Sequence, residues 1–249
     1  MAGLNTRQDE GVSEAIGFII IFGLVITGIG LITLYGYPML TQQQSNADVR
    51  NMEQTMVVLQ NDIKSLCYKN VPYKETALQV SGGSLMAENS SETVQNFTIS
   101  GNTINKVFSP GMLLYDSDSQ DATIALENGG VIRAQSSGST MLAEPRWYLD
   151  DASSTMVINL INLTTSGTIA RSGMGSVRMK LAGTETEIDD SGGINVTVTY
   201  TPDATANFSK AWENYLTGSL GMNKIAPNTY QITTDNLIVK TYEVQVLSV

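Results

Sequence analysis

The sequence predicts an α+β chain: a long N-terminal hydrophobic helix, then a β-rich, sandwich-like globular domain interrupted by one short late helix. Three observations carry that expectation. No charged residue occurs from Ala15 to Leu40. Beyond that run, apolar residues recur at spacings of three and four as far as Leu66, and after Val71 the period falls to two. The order of these patterns divides the chain at about residues 11, 40 and 69.

The run from Ala15 to Tyr37 reads AIGFIIIFGLVITGIGLITLYGY. Taken as helix, Ala15 to Tyr35 is about 30 Å long, the thickness of bilayer hydrocarbon, and soluble core helices rarely stay uncharged on every face over such a length. A secretory signal would have a shorter apolar region ending in a small-x-small cleavage site. Residues 12–40 are therefore expected to form a transmembrane helix, with Tyr35 and Tyr37 at an interface and Pro38 kinking the helix where it leaves the lipid.

Residues 41–69 are expected to continue as an amphipathic helix. Val49, Met52, Met56, Leu59, Ile63 and Leu66 form a stripe that can lie along a sheet or another helix, with Gln, Asn and Asp facing water. Together the two segments make about 55 helical residues, on the order of 80 Å. Cys67, one residue past the stripe, is expected to pack as a small apolar side chain, an intersubunit disulfide being the alternative.

Residues 70–249 are read as the β-rich domain. Asn96–Ser100, Thr155–Asn162, Ser176–Leu181 and Asn195–Tyr200 alternate as strands do. Asn128-Gly129, between Thr123–Leu126 and Val131–Arg133, marks a type I′ hairpin turn. From Asn207 to Leu216, Phe208, Ala211, Trp212, Tyr215 and Leu216 share one helical face, expected as core. Tyr230–Thr233 and Leu237–Val249 are expected as a pair of strands around Asp235-Asn236.

Composition narrows the chemistry. With 14 basic against 24 acidic residues and a formal net charge of -10, the chain lacks the clustered cations that nucleic acid demands. It contains no His, and its single Cys cannot form an internal disulfide or a thiolate zinc cluster. No enzyme activity and no cofactor are expected. Asp116, Asp118 and Asp121 could offer oxygens to calcium, but the loop lacks the Gly and the distant Glu of an EF-hand, and acidic turns are usually just solvated. Glu187, Asp189 and Asp190 make a second, weaker acidic turn. Asn89, Asn96, Asn162, Asn195 and Asn207 head five N-x-S/T acceptor sequences beyond the helix, as in an exported glycosylated domain.

The stretch Glu10-Gly-Val-Ser-Glu-Ala-Ile-Gly17, followed by the apolar run, resembles the class III signal of archaeal type IV pilin-like proteins. Leu126–Arg133, Met141–Pro145 and the Trp212 helix are similar to an uncharacterised group of archaeal pilin-like membrane proteins. The resemblance implies that residues 1–11 are a leader, cut between Gly11 and Val12 by a prepilin peptidase. It implies a membrane-inserted precursor whose helices then bundle with copies of themselves, or with other pilin-like subunits, into an extracellular filament. Glu14 stands where that family often has Pro. Cleavage would leave an ammonium on Val12, which Glu14 could neutralise, while Gly17, Gly23, Gly28 and Gly30 would let helices approach closely. A monomeric single-pass surface glycoprotein, or a ligand-binding ectodomain tethered by the same helix, is the alternative expectation.

Overall fold

The computed structural model describes residues 6–69, 71–167, 169–204 and 206–249, with side chains from residue 14 onward. The chain divides into two compact units, one ending at Ala47 and the other running from Asp48 to Val249. Helix α1 (Thr6–Leu31) is followed by a π-helical turn, Ile32–Gly36, and by α2 (Tyr37–Tyr68). In the π turn the Tyr37 N–H reaches back five residues to the Ile32 carbonyl. The wider turn lies immediately before Pro38, which has no N–H to donate and whose ring would crowd the carbonyl four residues back. Pro38 therefore perturbs the helix without ending it.

Among the described residues of the second unit the strands are β1 (Tyr73–Glu88), β2 (Asn96–Ser100), β3 (Asn105–Phe108), β4 (Met112–Ser117), β5 (Thr123–Glu127), β6 (Gly130–Gln135), β7 (Gly138–Ala143), β8 (Tyr148–Asp150), β9 (Thr155–Thr165), β10 (Ile169–Asp189), β11 (Ile194–Thr201), β12 (Asn223–Ala226), β13 (Thr229–Thr234) and β14 (Asn236–Ser248). They form a nine-stranded sheet, β7-β6-β5-β4-β1-β10-β14-β9-β8, and a five-stranded sheet, β12-β13-β11-β2-β3. A short helix, α3 (Ser209–Asn214), runs into a second π turn, Tyr215–Ser219.

Both strands expected near the C-terminus form, but they do not pair with each other. β13 pairs with β11 in the small sheet, whereas β14 pairs with β10 and, in parallel, with β9 in the large one. Asp235 is the point where the chain changes sheets. Its N–H donates to the Ser154 carbonyl, which anchors the crossing on the turn before β9.

The large sheet curls. β8 covers only the first three residues of β9, and the rest of that edge meets chain from elsewhere. The Leu163 N–H donates to the Pro110 carbonyl (2.7 Å), the Ser90 N–H donates to the Leu163 carbonyl (3.1 Å), and the Ile161 N–H donates to Asn128 Oδ1 (2.9 Å). An edge that would otherwise expose unpaired backbone is thereby closed. The Asn128-Gly129 turn has the expected form, with φ of 47° and 75°. A Cβ on Gly129 would come within 2.8 Å of Ile161 Cδ1, so glycine is needed there for space as well as for φ.

Two cores lie on opposite faces of this sheet. On one, the α2 stripe from Val49 to Leu66 packs against Leu85, Leu113, Ile124, Val177 and Val244. Met56, Leu59, Ile63 and Leu66 are wholly buried, each adding about 1.5–3 kcal/mol of transfer free energy. On the other face, the small sheet and α3 close over Ile132, Ile158, Leu160 and Val239.

Candidate membrane-assembly segment

The first unit owes its character to exposed apolar side chains. Phe18, Leu24 and Ile32 are 69%, 71% and 69% exposed, and the apolar residues between them are exposed on every side. This is one helix long and apolar enough to span a membrane, running within Glu14–Tyr68. The few polar groups in the run are satisfied locally. The Thr27 hydroxyl donates to the Gly23 carbonyl (2.7 Å) and the Thr33 hydroxyl to the Ile29 carbonyl (2.9 Å), so neither needs water. Tyr35 and Tyr37 are exposed at the end of the run.

Gly17, Gly23, Gly28 and Gly30 all face open space, with nothing within 4 Å of where a Cβ would stand. At about 100° per residue, Gly17 and Gly28 share one side of the helix, and Gly23 and Gly30 share another roughly 140° away. The helix thus carries two separate notches. Glu14 is exposed, and helical backbone already extends N-terminal to it, to Thr6. Gly11 and Val12, where processing is expected, are described only as helical backbone, and residues 1–5 lie outside the described residues.

The second unit holds its end of α2 with polar contacts that periodicity did not reveal. Gln60 was expected to face water with the other amides of α2, yet it is 2% exposed. Its Nε2 donates to the Gly129 carbonyl (2.7 Å) and the Glu144 carbonyl (2.9 Å). The curled sheet covers more of the helix than the stripe predicts, and a position next to Leu59 falls inside the wrap. Glu53 pairs with Arg133 at 2.8 Å, and Asp62 pairs with Lys74 at 3.3 Å and accepts the Thr76 hydroxyl. Cys67 is buried and free, and burial pushes its thiol up to about 12, the behaviour of a packing residue and not of a reactive one.

A second feature missed in the sequence is Glu127. It is fully buried beside Tyr200 and Trp212, whose rings belong to a cluster with Phe97, Trp147 and Tyr215, Phe97 and Trp212 standing edge to face at 4.7 Å. Trp212 Nε1 donates to Glu127 Oε2 (3.1 Å) and the Tyr200 hydroxyl donates to Oε1 (3.3 Å). Burial pushes the carboxyl up to about 7 against the pull of those two donors. The signal was present in the alternation of Thr123–Glu127, which places Glu127 on the same face as Ala125.

The other expected sites separate. Asp116 accepts the Thr123 hydroxyl, Asp121 accepts the Ser136 N–H and hydroxyl, and the Asp118 N–H donates to the Gly82 carbonyl. Among the described residues no group of three His, Cys, Asp or Glu side chains is placed to hold a metal. Glu187 pairs with Lys106, while Asp189 is buried and accepts the Thr103 N–H (2.7 Å). Of the acceptor asparagines, Asn195 and Asn207 are exposed. Asn89 and Asn96 commit Nδ2 to the Thr165 and Val94 carbonyls, and Asn162 has a buried Oδ1.

Residues 10–247 match a family of unknown function, DUF7289, and the chain belongs to it. No curated protein and no solved structure matches it.

Proposed function

We propose that this member of DUF7289 is a structural subunit of an archaeal type IV pilus-like extracellular filament, assembled through its N-terminal hydrophobic helix. The observation that carries the reading is the apolar helix with glycine notches on two sides. A membrane tether needs neither notch, and a symmetric pair of helices needs one seam. A helix with two different contact surfaces makes head-to-tail contacts, which extend into an open helical polymer wherever the rotation between neighbours does not close a ring.

In this account the precursor enters the membrane as a single-pass protein and a prepilin peptidase cuts between Gly11 and Val12. The helix then leaves lipid for the company of its copies or of other pilin-like subunits. Asp48–Val249 is the extracellular head, with the α2 stripe and Gln60 built into its own core. Its role is structural, without catalysis, cofactor or nucleic acid, and Asn195 and Asn207 are its exposed acceptor asparagines.

Shearing cells and sedimenting the released material tests the proposal. The chain should come down in that fraction with Val12 as its N-terminal residue by mass spectrometry. Recovery only from detergent-solubilised membrane, as a monomer with its leader intact, would favour a tethered surface protein instead.

A further inference from the structure

The inner face of the five-stranded sheet is core, and its outer face is made of the alternate residues of the same strands. Thr98 and Ser100 lie there on β2, Asn195, Thr197 and Thr199 on β11, and Gln231 and Thr233 on β13. No outward position in the five strands carries a charge, in a chain of formal net charge -10. The two lysines in these strands, Lys106 and Lys224, lie opposite the buried Ile99 and Tyr230 and are held by Glu185 and Glu187 and by Glu213.

Those lysines sit in the edge strands β3 and β12, one of which is also bulged between Lys224 and Ala226. Inward charges and bulges on edges oppose the addition of further strands. The face is built differently. Gln231 Nε2 donates to Thr197 Oγ1 (3.3 Å) and the Thr233 hydroxyl donates to Asn195 Oδ1 (2.9 Å). These groups satisfy each other across strands, which lowers what covering them would cost. At the two borders of the face, Val107 is 70% exposed and Ile225 54% exposed.

We propose that this outward face is an interface for a second copy of the chain, brought beside it by polymerised N-terminal helices. The proposal rests on the filament reading for that proximity. Identical acidic domains repel wherever their charges meet, and a neutral face bordered by apolar side chains is where they can touch. Five strands about 4.8 Å apart and some five residues long give a face of roughly 400 Å². That is about half the 800 Å² per partner of a stable complex, so the contact forms only when a tether supplies a high local concentration. It also excludes glycan from Asn195 in the assembled form and leaves Asn207 free to carry one.

The full chain in native membranes and sheared material, carrying Thr233→Cys or, as a control on the exposed β6–β7 turn, Ser137→Cys, is labelled at that thiol with a short photo-cross-linker, which joins it to whatever side chain of a neighbouring copy lies within reach. The face variant should cross-link to dimers at least tenfold more than the control. Thr199→Glu should reduce sedimentable material about tenfold, while Thr199→Gln, of equal bulk, should not, and all variants should melt as wild type does. Equal cross-linking of the two cysteines, indifference to Thr199→Glu, or a glycan on Asn195 in assembled protein would overturn the proposal. Face cross-links in membranes without filaments would sink the filament reading and leave this interface standing. Filaments insensitive to Thr199→Glu and without face cross-links would do the reverse.

Discussion

Replacing Glu127 with Gln should make the protein more stable at neutral pH, and the size of the effect can be worked from the site. The carboxyl is fully buried, and burial raises it from the ordinary 4.5 to about 7. The native state therefore holds a proton that the unfolded chain releases between those two values. Stability at this site is fully present below pH 4.5, falls as pH rises through 7, and then levels off. At about 1.4 kcal/mol per pKa unit, the ionised form costs about 3 kcal/mol relative to the protonated one. Gln mimics the protonated acid, since its oxygen can accept from Trp212 while its amide donates to the Tyr200 oxygen. Glu127→Gln and wild type should thus melt together at pH 4, and at pH 8 the variant should be higher by roughly 6–12 °C, at about 2–4 °C per kcal/mol for a unit of this size. Intrinsic fluorescence reports the transition, because Trp147 and Trp212 both lie in the same cluster. A difference between the two proteins that stays flat from pH 4 to 8, or that favours wild type at high pH, would refute the reasoning.

Leu59→Ala, at a wholly buried position on α2, should destabilise the β unit by about 2–5 kcal/mol in denaturant melts, and a loss below 1 kcal/mol would mean the helix is not part of that core. Gly23→Leu and Gly28→Leu fill the notches on opposite sides of the apolar helix, so each alone should impair sedimentable assembly more than membrane insertion. Equal loss of both would contradict helix–helix contact at those glycines. Glu14→Gln should insert and be processed normally but enter filaments poorly if the carboxylate neutralises the Val12 ammonium; wild-type incorporation would leave Glu14 with only a favourable place in the first turn of the processed helix.

What sequence made visible here is local. The apolar run, the Val49–Leu66 stripe, the Asn128-Gly129 turn and the Trp212 face each declare themselves within a dozen residues, because period and turn chemistry depend on near neighbours alone. β13 and β14 adjoin in sequence and look like a hairpin, yet their partners lie far along the chain, and only the choice between two sheets decides them. Gln60 and Glu127 were hidden for a related reason. One is buried because a sheet curls around α2, the other because β11, α3 and the β5–β6 hairpin converge, and neither convergence leaves a periodic trace. The glycine notches were legible as residues, while their division between two sides of the helix follows from the helical backbone.

The central claim, that the N-terminal helix builds a filament, is tested most directly by imaging sheared surface material in vitreous ice and reconstructing any helical polymer. The account predicts a dry core of Phe18–Leu31 helices at the axis, neighbours seated at both the Gly17/Gly28 and the Gly23/Gly30 sides, and the β units arrayed outside. Isolated particles each carrying a detergent-coated helix, or a polymer whose axis is occupied by another protein, would contradict it.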